Sequence, residues 1–261
     1  MPQSSIASSH SYRDLLVAWT SRIIRARYQQ SILGGLWAVV QPLATVAVFT
    51  VIFTYFIPIN TGDIPYAVFS YTAMAPWLLF STSMIDMTES LVTNMNLVTK
   101  IYFPREIFVI SALMARVFDF CIAYLVLFVL IWFYQLPISV SGLVYLPLIL
   151  LIQLALALGL GLICAAMNVF YRDIKHVVTL ILQLWFYATP IIYPITVVPE
   201  QWRSLYHLNP MVGIMEAYRA VILYNAPPPP TLYIAGAISI VCLGVGYFIF
   251  KRVEYLFADI V

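Results

Sequence analysis

The sequence predicts an all-α integral membrane protein. It should have six transmembrane helices, an N-terminal amphipathic interface helix, and short re-entrant outer helices between spans five and six. Three observations predict this. Of 261 residues, 63% are hydrophobic and 9% charged, and the mean hydropathy is +0.94, values that soluble domains of this size do not reach. Apolar runs near the ~20 residues of a bilayer helix recur along the chain, whereas short alternating strands do not. Lysine and arginine also gather at every second connection between those runs, the pattern that orients multi-pass proteins.

Taken in order, the chain reads as one transmembrane domain over 1–261. Residues 11–30 form the amphipathic helix: Tyr12, Leu15, Leu16, Trp19, Ile23 and Ala26 make one stripe, flanked by Arg13, Arg22, Arg25 and Arg27. The segment lacks the small-residue cleavage site of a signal peptide, so no cleaved leader is expected. The spans are 37–58, 64–85, 107–134, 143–170, 176–195 and 231–250. The third and fourth exceed the required length and are expected to tilt or project. Between spans two and three, 86–106 is a polar cytoplasmic coupling segment with a weak stripe of Met87, Leu91, Met95 and Val98, stopped by Pro104. Residues 196–224 are too apolar for a solvated loop, yet Pro199 and Asn209-Pro210 break them. Two short helices are expected there as an outer gate, carrying Trp202, Tyr206, Met215 and Tyr218. Lys100, Arg105, Arg172, Lys175, Lys251 and Arg252, with the N-terminal arginines, place both termini in the cytoplasm. The outer connection after span five holds only Arg203 and Arg219.

Several chemistries are not legible. None of the three lysines follows a glycine, which excludes a P-loop. His10, His176 and His207 are far apart and predicted on both sides of the membrane, so no metal site is expected. Cys121, Cys164 and Cys242 fall within apolar spans and read as structural thiols. Ala155, Gly159, Gly161, Ala165 and Ala166 in span four allow close helix approach. Arg116 and Asp119 in span three share a helical face, either as a self-satisfied ion pair or along a polar path.

The stretch 172–194 organises the rest. At helical spacing one face carries Thr179, Gln183, Phe186, Tyr187, Pro190 and Pro194, with Tyr193 beside them; Val178, Ile181, Trp185, Ala188 and Ile192 lie opposite. A mid-span Gln183 is costly without a polar partner. It reads either as an interhelical hydrogen bond or as part of a pathway wall touching an amphiphilic cargo. Phe49, Phe53 and Phe56 in span one sit at spacing that lets them face it, or simply pack.

Ordered motifs then resemble one family. Arg27-Tyr28-Gln29-Gln30-Ser31 with Leu33-Gly34 and Leu36-Trp37, then Gln41-Pro42-Leu43, is similar to the start of bacterial polysaccharide ABC exporter permeases. So are Asn96-Leu97 through Lys100 to Phe103-Pro104-Arg105-Glu106, Tyr171-Arg172-Asp173-Ile174, Thr189-Pro190 with Tyr193-Pro194, and Asn209-Pro210 leading to Tyr218-Arg219. Val109 stands where many members have proline. The resemblance implies a non-enzymatic permease in the bacterial cytoplasmic (inner) membrane that exports undecaprenyl-linked O-antigen, capsule or teichoic acid. It implies a homodimer with two ATPase subunits, which would bind ATP and Mg; no cofactor is expected in this chain, and no nucleic acid. Coupling to the ATPase would fall to Asn94, Asn96, Lys100, Arg105, Glu106, Arg172 and Asp173. Arg25 and Arg27 would attract the carrier's pyrophosphate and anionic lipid. Alternatives are an exporter of a small lipophilic or drug-like cargo, a membrane enzyme acting on lipid-linked sugars, and an ion-coupled carrier using Asp119.

Overall fold

Helices follow wherever apolar length suffices, because a backbone in hydrocarbon must bond to itself. The computed structural model describes residues 3–29, 36–100, 104–137 and 140–258. Gln30, Ser31, Leu33, Gly34 and Phe103 of the motifs above lie outside the described residues. The order is α1 (Gln3–Gln29), α2 (Trp37–Val51) continued by a π turn (Ile52–Phe56), α3 (Tyr66–Thr93), α4 (Met95–Lys100), α5 (Glu106–Phe133) and α6 (Val140–Leu143). There follow α7 (Leu146–Phe170), α8 (Ile174–Tyr187), α9 (Glu200–Tyr206), α10 (Pro210–Ile222), α11 (Thr231–Val253) and a C-terminal 3-10 turn (Glu254–Ala258). No strand occurs among the described residues.

Five of these helices are long and apolar enough to cross a membrane: Trp37–Phe56, Tyr66–Thr93, Glu106–Phe133, Leu146–Phe170 and Thr231–Phe257. The stretch expected as a span over 176–195 departs from that reading. It is helical only through α8, whose 14 residues reach about 21 Å, short of a hydrocarbon core. Pro190 explains the stop: it has no N–H and disfavours helix at Thr189 before it. The chain turns through 188–194 and returns as α9 and α10. Helix α3 also runs on to Thr93, so Met87 and Leu91 of the expected coupling segment are fully buried core residues of a long span.

Helix α3 is the centre of the bundle. Tyr71, Phe80, Met87 and Leu91 are inaccessible, and α5, α7, α2, α8 and α10 all pack on it. Two of its carbonyls are met by buried amides of α7. Gln153 Nε2 donates to the carbonyl of Pro76 (2.7 Å), and Asn168 Nδ2 to that of Thr88 (2.9 Å). Helices α7 and α11 pack closely through glycine: a Cβ on Gly159 would stand 2.5 Å from the Cys242 carbonyl, and one on Gly246 2.1 Å from the Gly159 carbonyl. A Cβ on Gly161 would meet Met87 of α3. The small residues of span four therefore serve two helix contacts. Helix α1 packs on α5, with Trp19 edge-on to Phe108 at 4.9 Å.

The proximal end of the bundle gathers α1, the C-terminal turn, the α4 corner and the start of α8. The other, with the turn after α8, is distal.

Candidate functional site

At the distal end the turn at 188–194 lies against protein, and its carbonyls are met by side chains from elsewhere. Arg219 Nη1 and Nη2 donate to Pro190 and Ile191 oxygens, each at 2.6 Å. Tyr66 Oη donates to Ile192 oxygen at 2.6 Å. Asn209 Nδ2 donates to Ala188 oxygen (3.2 Å) and Thr189 Oγ1 (3.1 Å), while Asn209 Oδ1 accepts from Trp185 Nε1 and caps α10 at Met211 N–H. Irregular backbone survives at such a place only when every group is paired. Arg219 is 4% exposed, with its guanidinium 3.8 Å from the Phe69 ring centre. Sequence counted it as a loop charge; its position one residue after Tyr218, opposite a Thr-Pro turn, was the available signal.

Beside this turn stands an aromatic wall from α2, α3 and α8. Phe49 stacks on Phe53 (6.0 Å) and on Phe186 (6.3 Å), Phe186 meets Trp77 (5.8 Å) and Tyr187 (5.2 Å), and Trp185 meets Phe80 (5.3 Å). Phe49, Phe53, Phe186 and Tyr187 are thus brought together. Phe56 is not: it is 75% exposed, because the π turn over Ile52–Phe56 breaks the 3.6-residue register that would align it. Trp185, expected to face away, belongs to the same assembly from its inner side. Gln183 and Thr179 are exposed, and Thr179 Oγ1 donates back to Lys175 oxygen. The expectation of a buried Gln183 is therefore corrected: α8 buries Val178 and Leu182 against the bundle and turns Gln183 outward. Exposed Ile181, Leu184 and Ala188 continue this face into an apolar groove of about 530 Å³ that ends at Tyr206 and Pro210.

The expected gate residues divide. Trp202 is exposed, and Tyr206 Oη lies 2.5 Å from Tyr193 Oη, which reaches Tyr187 oxygen at 2.8 Å. Met215 and Tyr218 are not at a surface at all. Both are fully buried, and Tyr218 Oη donates to Gln153 Oε1 at 3.0 Å. Helix α10 turns its apolar side into the bundle, where glycine at 213 lets it approach the Thr231 carbonyl.

At the proximal end, four charges from three helices form a closed network. Arg116 forks onto Asp86 (2.6 and 3.0 Å) and reaches Asp119 (3.2 Å). Arg27 bridges Asp119 (2.6 Å) and Asp86 (2.8 Å). The Tyr28 hydroxyl also donates to Asp119. Burial, with the hydrogen bond and charge of Asp119, pushes the Tyr28 phenol up to about 12, so it stays a donor across physiological pH. Arg27 is therefore not a free head-group ligand, as its sequence position suggested; carboxylates on two other helices occupy it. Arg25 donates to Ser21 oxygen and stays exposed. The Arg116–Asp119 pair read from α5 alone lacked Asp86, which came from a different span. A double-mutant cycle on Arg27→Gln and Asp119→Asn should return a coupling of roughly 1 kcal/mol in thermal unfolding; strictly additive losses would mean that the pair is incidental.

The expected coupling residues also separate. Arg172 and Asp173 are exposed at the start of α8, and Lys175 lies 3.8 Å from Glu89 on α3. Asn94 caps α3 through Ser90 oxygen, Asn96 is exposed, and Lys100 closes α4. Glu106 is instead buried and salt-bridged to Lys251 at 2.9 Å. Arg105 lies half-buried over the Phe257 ring.

Long apolar helices around an internal turn whose carbonyls are met by side chains, with exposed apolar faces on α2, α8 and α11, define a multi-pass membrane protein. The chain belongs to the ABC-2 type transporter family, whose model matches residues 14–223. It is 34% identical over 254 residues to the O-antigen export system permease protein RfbA of Myxococcus xanthus, covering 96% of both chains. A Klebsiella pneumoniae protein of the same name is 31% identical over 250 residues, 95% of each. The polysialic acid transport protein KpsM of Escherichia coli is 23% identical over 203 residues, 77% of this chain and 78% of that one.

Proposed function

We propose that this chain is the membrane-spanning subunit of an ATP-driven exporter that moves an undecaprenyl-linked, O-antigen-like polysaccharide across the bacterial cytoplasmic membrane. The observation that carries this reading is similarity to O-antigen export permeases along nearly the whole chain. Two copies would pair and two ATPase subunits would dock at the proximal end, supplying the nucleotide chemistry. The positive-inside pattern makes that end cytoplasmic, with both termini. Helix α1 then lies at the inner interface, and α8 with its turn makes the sixth crossing, completed in depth by α9 and α10 dipping from the outer side. The aromatic wall of α2 and α8 suits a moving glycan, since ring faces stack on sugars weakly and exchange easily.

Removing the gene from its host should leave lipid-linked polymer inside the cell, and the wild-type chain should restore surface polymer. Unchanged surface polymer in the deletion strain would reject the reading. Within it, Gln183→Ala with Tyr187→Ala should cut export about tenfold, the worth of one good aromatic contact. Both side chains are exposed, so the thermal midpoint of the protomer should shift by less than the equivalent of about 0.5 kcal/mol. Full export by this double variant would remove α8 from the pathway.

A further inference from the structure

The turn Glu254–Ala258 does not trail away from α11; it folds back onto the bundle. Phe257 is 0% exposed. Phe250 meets its ring at 5.7 Å and 72°, Phe170 of α7 at 5.9 Å and 62°, and the Arg105 guanidinium carbon stands 5.8 Å from its centre. One turn earlier, Lys251 Nζ donates to Glu106 Oε2 at 2.9 Å and to the Glu254 carboxylate at 3.2 Å. The turn is thus tied to both residues that open α5, one through the ring and one through the ion pair. It also packs directly against α4. Helix α4 has six residues, too few to hold a helix without tertiary support. Its buried anchor among the described residues is Val98, 1% exposed.

We propose that Phe257 is a positioning residue: the C-terminal turn braces α4 against α5, α7 and α11, so that a force applied to α4 moves the bundle instead of bending α4 alone. This rests on the reading of α4 as an ATPase contact. Truncating the ring would leave a cavity where four segments meet and free the turn to detach. Helix α4 would then open locally at lower cost and absorb displacement that the spans should receive.

Two measurements on the full chain test this, with Phe257→Ala, Phe257→Leu and, as control, Tyr255→Ala, whose side chain is exposed in the same turn. Amide hydrogen exchange over 94–98 should rise about tenfold in Phe257→Ala, stay at the wild-type rate in Tyr255→Ala, and return most of the way in Phe257→Leu. In the complex co-expressed with its ATPase subunits, Phe257→Ala should retain ATP hydrolysis while polymer exported per ATP falls about tenfold. Unchanged exchange over 94–98 overturns the brace. Export and hydrolysis falling together, in proportion to folded complex, would reduce Phe257 to packing and overturn the positioning role. A wild-type chain that no ATPase binds or drives overturns the functional reading and the coupling role with it; the exchange result still decides whether the brace exists.

Discussion

Replacing Arg219 with Met is expected to cost more folded protein than any other single change at the distal end. The substitution keeps much of the volume and removes the cation, leaving the carbonyls of Pro190 and Ile191 buried without donors. Each buried acceptor left unpaired costs about 1–3 kcal/mol, so the pair approaches the whole margin of a small domain. Arg219→Lys should recover less than half of the loss. A point ammonium cannot fork onto two carbonyls or lie flat on Phe69. The control is Arg203→Met, which removes bonds to the Val198 and Thr196 carbonyls from a side chain a third exposed. It should cost about 1 kcal/mol. Detergent-solubilised protein is heated and the surviving monodisperse fraction read by size exclusion. A midpoint for Arg219→Met no lower than that of Arg203→Met would show that the turn holds itself.

The second large effect is expected where α7 meets α11. Gly246→Ala puts a methyl 2.1 Å from the Gly159 carbonyl, and Gly159→Ala puts one 2.5 Å from the Cys242 carbonyl. Both obstacles are backbone, so no rotamer change relieves them and the helices must separate. Overpacking of this kind costs about 1–3 kcal/mol, and the upper end applies when the obstacle is backbone. The two changes should not add, since the first separation already makes room for the second methyl. Gly244→Ala is the internal control: nothing lies within 4 Å of its added Cβ. Helix propensity alone predicts a gain of up to about 1 kcal/mol there. Equal midpoints for Gly244→Ala and Gly246→Ala would refute the close approach.

Helix positions were legible because apolar length is a property of contiguous sequence: α2 with its π turn, α5, α7 and α11 lie within a few residues of the expected runs, whereas α3 continues past 85 to Thr93. The end of α8 was not, although its breaker was in view. Pro190 was read as one face of a helix, whereas its missing N–H ends the helix at Tyr187. Phe49, Phe53, Phe186 and Tyr187 could be grouped by residue type and periodicity; Phe56 could not be excluded, because a π turn leaves no mark in composition. Groupings that depend on three-dimensional closure escaped altogether. Asp86 and Arg27 are 59 residues apart, Lys251 and Glu106 145 apart. In sequence Arg27 and Glu106 point to outside partners and Asp86 does not stand out; only folding makes these charges partners of one another. Arg219 and Met215 were misplaced for a related reason: α10 was expected as a short outer gate helix, yet its apolar side is buried in the bundle.

The pairing of the turn after α8 also fixes how that helix can move. Its distal end is pinned to α3, α9 and α10 by Tyr66, Tyr193, Asn209 and Arg219, whereas beyond the short turn from α7 and the packing of Ile174 its other end has the 3.8 Å, half-exposed Lys175–Glu89 contact. A rod held more firmly at one end pivots there. With a length of about 21 Å, each ten degrees of tilt carries the Ile174 end through about 4 Å while Tyr187 stays almost in place. An opening that keeps the joint closed must therefore begin at Lys175, with the aromatic wall as the hinge.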